Sequence, residues 1–246
     1  LRLAAIIYSL TKRWNCRIST EAKQIPVPGT DWLLGKYLVT VMEYQHFMDH
    51  NGYQDKTWWD DAGWHMRMKE GWNNPDNWDD QLLHPNRPVT FVSWFEAMAF
   101  CRWLSKQRNM QIRLPDEGVW KMAATSRKGA YPWGAESPNP DQLANYYAGG
   151  KDTAPTPVGI YPAGNGPYGH CDLAGNVWEW CRNLFADENS MATPLDPPAT
   201  SDDIQSMRGG SWRGPAVSLL AAVRYDVRTG YRDGYLGFRL AAPASR

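Results

Sequence analysis

The most informative stretch of this chain is Arg208-Gly209-Gly210-Ser211-Trp212, which is followed after an irregular segment by Gly237-Phe238-Arg239-Leu240. The segment between them, residues 213–236, is rich in Tyr, Arg, Asp, Gly, Ser and Val. Tyrosine offers a large contact area at low entropic cost, arginine offers forked donors, and Gly and Ser offer an adaptable backbone. This composition indicates a recognition surface, and any active site of the chain is expected in the same place.

The overall composition limits the classes of partner. Among the 246 residues, 26 basic side chains balance 26 acidic ones, whereas a nucleic acid or an anionic membrane calls for a basic excess. No run of apolar residues is long enough to span a bilayer, and no signal peptide is recognisable, so we expect no nucleic-acid partner, no membrane insertion and a cytoplasmic location. Fourteen Trp together with 21 Gly and 18 Pro favour a loop-rich domain with an aromatic core.

Two parts of the chain are distinguished. Residues 1–29 have no clear pattern and are predicted to be an N-terminal segment, the end of an upstream region of a larger multidomain protein. Residues 30–246 are predicted to form one domain, with a variable region at 208–240. The cysteines form no CxxC pair, so we expect no zinc site and a reducing compartment, while a Cys171–Cys181 bridge stays possible; they are Cys16, Cys101, Cys171 and Cys181.

Local signals predict several short elements. Thr40 with Glu43, and Ser93 with Glu96, have the spacing of capping boxes and so predict helices that start at residues 41 and 94. The tryptophan-rich residues 57–78 are interpreted as an irregular insertion. The remaining predictions are a helix that opens within residues 113–120 and runs to about residue 124, and strands over 32–40, 88–92 and 158–161.

Six runs, in order, resemble the formylglycine-generating-enzyme or sulfatase-modifying-factor domain family. The resemblance implies an α+β, C-type-lectin-like fold with little regular secondary structure, in which two or three helices surround small twisted sheets. The runs are residues 88–97, 113–117, 131–134, 172–180, 208–212 and 237–239.

The family contains oxidases, sulfoxide synthases and binding proteins. In the oxidases two cysteines follow the Gly-Gly-Ser-aromatic run and hold copper, whereas Gly214 and Leu219 stand at those positions here, and we therefore expect that the chain is not an enzyme. A sulfoxide synthase needs a three-histidine iron site and a helical domain, and a calcium-dependent carbohydrate lectin is a further alternative. The chain's histidines, which we expect on the surface or in packing positions, are His46, His50, His65, His84 and His170.

The third branch carries the variable region of diversity-generating retroelements. There, mutagenised codons of the form NNC cannot encode Lys, Glu, Gln, Met or Trp. None of these occurs from residue 213 to 246, although they make up 48 of the 246 residues; for the 23 residues 213–235 that absence has a chance of about 1 in 150. Residues 152–177 also lack all five.

The resemblance divides the segment into scaffold and varied positions. Ala221, Ala222, Arg224, Arg232 and residues 237–239 correspond to scaffold. The side chains predicted to form a hypervariable surface for a protein or other macromolecular target, with the tyrosines as anchors, are Arg213, Gly214, Ser218, Leu220, Val223, Tyr225, Val227, Thr229, Gly230, Tyr231, Asp233, Gly234 and Tyr235.

Residues 172–179 resemble the family's calcium loop. The resemblance implies a structural Ca²⁺ held by the carboxylates of Asp172 and Glu179 and by the backbone carbonyls of Gly175 and Val177. The family's second calcium site, which would begin at Asn145, is not expected because the loop after it is shortened.

Overall fold

The computed structural model describes residues 24–149, 154–188 and 200–244. The predicted N-terminal segment therefore lies outside the described residues up to residue 23. Its last part does not stand apart from the domain, because strand β1 (Gln24–Pro26) pairs with β2 (Trp32–Gly35). Cys16 also lies outside the described residues.

Two small sheets organise the described residues. The first is antiparallel, with β2 between β1 and β7 (Ala241–Pro243). The second has the order β5-β4-β3-β6, in which only the β3–β6 pair is parallel. Its strands are β3 (Trp178–Leu184), β4 (Ile204–Arg208), β5 (Arg224–Arg228) and β6 (Leu236–Gly237).

Five α-helices pack around these sheets in the described part of the chain, more than the two or three expected. Both predicted capping boxes are present, with Thr40 bonded to Glu43 and Ser93 bonded to Glu96. The helices are α1 (Val41–Asp49), α2 (Asp61–Glu70), α3 (Trp78–Leu82), α4 (Trp94–Arg108) and α5 (Glu117–Ala124). Among the described residues, no helix is both long enough and apolar enough to cross a bilayer.

Three local predictions were wrong. The insertion 57–78 is not irregular: Asp60 caps α2 by accepting from Gly63 N at 2.6 Å, and Gly71, at φ +68°, ends that helix. Residues 88–92 make only a single bridge, from Pro88 to Thr40, because Phe91 adopts φ +57° and breaks the extended backbone. Gly159, at φ +74°, likewise interrupts the strand predicted over 158–161.

The largest core cluster joins α1 and α4 to the C-terminal run. Tyr44 stacks on Phe100 with ring centroids 5.4 Å apart, and Phe238 packs edge-on against Phe100 at 5.5 Å. All three rings are fully buried. The run at 237–240 is therefore anchored in the aromatic core, which fixes the C-terminal end of the segment that precedes it.

Candidate functional site

The segment 213–235 lies along one edge of the second sheet. It leaves β4 through Gly209 and Gly210, both at positive φ, forms a 3₁₀ turn at Ala216–Leu219, and returns as β5. Strand β5 pairs with β4 along its whole length, and no described strand pairs with its other side. The segment thus has one side held by the sheet and one side open.

A buried glutamate at the start of α5 holds β5 in place. Glu117 is fully buried and receives Arg224 through two hydrogen bonds, Nε to Oε1 at 2.8 Å and Nη2 to Oε2 at 2.7 Å. Arg208 donates to the same carboxylate at 2.7 Å. Burial alone would raise the pKa of Glu117, but hydrogen bonds from Arg224 and Ser206 and the charge of Arg208 outweigh it and lower that pKa.

A second arginine fastens the loop that follows β5. Arg232 Nε lies 3.2 Å from the buried carboxylate of Glu96, the capping-box glutamate in the first turn of α4, and donates to Phe91 O at 2.8 Å. Its Nη2 donates to Asn74 O at 2.6 Å, and its guanidinium lies 5.0 Å from the Trp72 ring. Burial raises the pKa of Glu96 despite the charge of Arg232. Arg232 therefore ties this loop to the tryptophan-rich insertion and to α4.

A third arginine, Arg239, is fully buried and pairs with one of the expected calcium ligands. Arg239 donates to both oxygens of Glu179, at 2.5 and 2.7 Å, and Trp120 Nε1 donates to the same carboxylate at 2.9 Å. Glu179 is fully buried, so its compensating positive charge is the guanidinium. A Ca²⁺ ion would have to displace this bidentate pair, and Glu179 does not fit the role of a calcium ligand.

The other members of the expected calcium loop have contacts of their own. Asp172 Oδ2 accepts from Gly159 N at 2.7 Å, and burial raises the pKa of Asp172 to about 6. The chain at Gly175 turns at φ +81° and bonds to Gly209 O, while Val177 is a buried core residue. Over the described ranges, no three His, Cys, Asp or Glu side chains are grouped so that they could hold a metal ion.

The predicted varied residues fall into three classes of exposure. Arg213 and Tyr225 are exposed, Tyr225 by 58%. Those that are partly exposed are Gly214, Leu220, Val223, Val227, Gly230, Tyr231, Asp233 and Tyr235. Asp226 and Arg228, which sequence reasoning did not select, are also exposed on β5, because an edge strand leaves more of its side chains accessible than a central one.

Three predicted varied residues are buried and do not belong to a solvent-facing surface. Thr229 is fully buried, where its hydroxyl donates to Thr200 O at 2.7 Å. Ser218 closes its own turn by donating to a backbone carbonyl, that of Pro215, at 2.7 Å. Gly234 lies against Phe91 so closely that an added Cβ would come within 2.9 Å of the ring. These positions support the backbone of the segment.

The most organised part of the open face is a group that we call the tyrosine cluster: Trp212, Tyr231, Asp233 and Tyr235. The Tyr231 hydroxyl donates to Asp233 Oδ2 at 2.9 Å and lies 2.7 Å from the Tyr235 hydroxyl. Trp212 Nε1 donates to Gly234 O at 3.0 Å. Burial and the hydrogen bonds to Tyr235 and Asp233 raise the pKa of Tyr231, so its hydroxyl stays protonated.

Within the part of the chain that the structure describes, the cysteines and histidines form no joint site. Cys171 and Cys181 are buried and not bonded to each other, which removes the disulfide that the sequence left open. His170 is fully buried, and its pKa falls to about 4 because of burial and the nearby charge of Arg239. His50 Nδ1 lies 2.6 Å from the backbone oxygen of His46, four residues earlier at the end of α1.

Comparisons with known proteins identify the relatives of this arrangement. The family model described as sulfatase-modifying factor enzyme 1-like domain matches residues 12–244. The hercynine oxygenase of Mycolicibacterium thermoresistibile is 33% identical over 92% of this chain and 53% of its own length. That of Mycobacterium tuberculosis is 31% identical over 92% and 56%. The formylglycine-generating enzyme of Mus musculus is 31% identical over 74% and 51%. The chain thus spans about half the length of these relatives.

These relatives correct one prediction. The chain was expected not to be an enzyme because Gly214 and Leu219 replace two copper-binding cysteines, yet proteins 31–33% identical to it over most of its length are oxygenases. The substitution removes the ligands of one kind of copper site and says nothing about other chemistry in the same family.

Solved structures confirm the expected α+β, C-type-lectin-like fold. Variable protein 1 of Treponema denticola superposes with a TM-score of 0.62 at 25% identity, covering 86% of this chain and 84% of that one. PvdO from Pseudomonas aeruginosa superposes with a TM-score of 0.64 at 18% identity, covering 86% and 80%.

Proposed function

We propose that this chain, which belongs to the sulfatase-modifying factor enzyme 1-like family, binds a macromolecular target through the open face of residues 213–235. We further propose that this face is hypervariable and encoded by a diversity-generating retroelement. The absence of Lys, Glu, Gln, Met and Trp from 213–246 and the similarity to variable protein 1 of Treponema denticola support both statements. Since the chain spans about half of its relatives, a further region in the whole protein is part of the proposal.

One observation carries the proposal: some side chains of this region hold its backbone from inside, and others are exposed to solvent. Arg224, Arg232 and Arg239 reach buried glutamates, so the backbone is held by residues that point inward. Between them on β5, the side chains of Tyr225, Asp226 and Arg228 are exposed; Tyr225 packs against the Trp178 ring, and Arg228 pairs with the exposed Asp202. Substitution at outward positions therefore changes the surface with little effect on the fold.

The partner is expected to be a macromolecule because of the shape of this face. Strand β5 is an open sheet edge and Tyr225 stands out from it, whereas a small-molecule site is usually a concave pocket. Exposed tyrosines and arginines are the side chains that dominate protein interfaces.

The test is deep sequencing of the coding DNA for residues 213–235 in a population of the source organism. We expect substitutions confined to the first two bases of codons that end in C, with a near-identical template repeat nearby, and few changes at Arg224 and Arg232. Codons 152–177 serve as a control, because that region also lacks the five residue types but should be uniform. A uniform segment with mixed third bases and no repeat would refute the diversified surface.

The identity to hercynine oxygenases favours a second candidate function, that of the substrate-facing part of an oxygenase. In that case, the side chains of the open face would contact a small substrate against the rest of the whole protein. The whole protein, loaded with iron, should then oxygenate hercynine, and alanine at Tyr231 or Tyr235 should lower that rate. Lack of turnover by an iron-loaded, folded protein would exclude this candidate.

A further inference from the structure

We infer that the tyrosine cluster is a subsite for a guanidinium group of the target, an arginine side chain, and that Arg213 fills this subsite in the free protein. This inference rests on the proposed function and names what the surface takes. An aromatic face attracts a cation within about 6 Å, and a carboxylate beside it adds an ion pair and hydrogen bonds.

Arg213 occupies the position that a bound guanidinium would take. Its Cζ lies 5.6 Å from the centre of the Trp212 ring and 5.5 Å from that of Tyr235. Its Nη1 lies 3.7 Å from Asp233 Oδ1. Planar guanidinium groups combine stacking with carboxylate pairing more readily than ammonium groups do, so the geometry favours arginine over lysine.

The hold on Arg213 is weak. The contact to Asp233 is long, and the Arg213 side chain is 58% exposed, so water competes with it. A guanidinium from a partner that covers the cluster would exclude that water and strengthen the same contacts. A guanidinium of the target can therefore displace the Arg213 side chain with little loss of stability.

The subsite keeps its shape when Arg213 leaves. Tyr231, Asp233 and Tyr235 are joined by their own hydrogen bonds, and Trp212 is fixed through its indole nitrogen. None of these bonds involves the Arg213 side chain. A cluster that is already ordered loses little entropy when a ligand binds, which is what a recognition anchor requires.

Other cations do not satisfy the cluster. Arg232, the nearest residue in sequence that carries a positive charge, is directed away to Glu96 and Asp76. Among the described residues, Arg213 is the cation recorded in an ion pair with Asp233. Without Arg213, the carboxylate of Asp233 would face solvent beside two tyrosine rings.

The experiment is a titration of the purified domain with methylguanidinium, followed by NMR shifts of the tyrosine rings. Arg213→Ala should bind methylguanidinium at least about five-fold more tightly than the original protein, since about 1 kcal/mol of intramolecular competition is removed. Adding Asp233→Asn to that variant should cancel most of the gain. Tyr225→Ala is the matched control, an exposed tyrosine outside the cluster, and should leave the titration unchanged.

The inference fails if Arg213→Ala, with a native-like NMR spectrum, binds methylguanidinium no more tightly than the original protein. It also fails if the gain survives Asp233→Asn together with Tyr235→Leu. Codon sequencing is independent of these titrations, so the diversified surface can stand when the cation subsite does not. A uniform codon pattern combined with tighter methylguanidinium binding by Arg213→Ala would refute the retroelement proposal and support the guanidinium subsite.

Discussion

At the scale of single residues, the fold depends on arginine side chains whose partners lie far away in the sequence. The resemblance indicated that Arg224, Arg232 and Arg239 are scaffold, and the structure shows why: each ends on a buried glutamate. The glutamates themselves could not be predicted as partners. Glu117 stands 107 positions from Arg224, and nothing local marks this pair.

The pair Arg224–Glu117 gives a stability prediction. Arg224→Ala leaves a buried carboxylate with Arg208 as its remaining cation, and loss of one partner of a buried pair costs about 3–5 kcal/mol. We expect the lower end of that range in the free energy of unfolding, measured by urea denaturation. Tyr225→Ala, one position along the same strand but exposed, should change it by only about 1 kcal/mol, the contribution of its ring contact with Trp178. Equal effects would mean that Arg224 does not support β5.

Asp172 gives a prediction about pH. Burial raises its pKa to about 6 in the folded protein, above the 3.8 of a free carboxyl, so the folded state holds the proton more strongly than the unfolded state. The stability from this group is complete below about pH 4 and is lost as the pH rises through 6.

Asp172→Asn keeps an acceptor for Gly159 N and removes the charge. It should raise the free energy of unfolding at pH 7 by at most about 3 kcal/mol and leave it unchanged near pH 4. Asn also tolerates the positive φ of this position. The exposed Asp226→Asn is the control, and a matching rise at both pH values would argue against a buried charge at Asp172.

At the scale of elements, the sequence predicted the helix caps correctly but not the backbone conformations and burial that depend on tertiary contacts. The capping boxes at Thr40 and Ser93 were predicted correctly because a cap is made within four residues. Phe91 and Gly159 interrupt expected strands through positive φ, and no short-range pattern announces that conformation in a phenylalanine. The positions of Ser218, Thr229 and Gly234 were misjudged for a related reason, since codon reasoning cannot tell a buried residue from an exposed one.

Two glycines in the loop between β5 and β6 test the distinction between buried and exposed positions. Gly234→Ala would place a methyl group 2.9 Å from the tip of the Phe91 ring, whereas Gly230→Ala would meet only the flexible end of Met66. Overpacking against a fixed ring costs about 1–3 kcal/mol, so the melting temperature should drop clearly for the first variant and little for the second. If both variants melt alike, the loop is looser than the contact with Phe91 implies.

At the scale of the whole molecule, the family could be predicted from six short runs, but the exclusion of enzymes could not. Two missing cysteines at Gly214 and Leu219 argue against one copper site, and relatives of this chain are oxygenases none the less. A fold that carries several chemistries places their groups on different parts of the molecule, so the loss of one site is weak evidence about the others. The calcium loop was likewise predicted from a short run, and that run does not reveal that the carboxylate of Glu179 is paired with Arg239.

The division of the molecule into support and display gives the last prediction. In a library that saturates Arg213, Tyr225, Asp226 and Arg228, most members should remain resistant to proteolysis, because these side chains are exposed and each substitution costs about 1 kcal/mol or less. A matched library at Arg224, Arg232 and Arg239 should be depleted of folded members, because each change removes an arginine that pairs with a buried glutamate. Selecting both libraries with a protease, and counting survivors by sequencing, measures the difference directly. Similar survival in the two libraries would show that inward and outward residues of this segment share the support of the fold, and a surface so constrained could not be diversified freely.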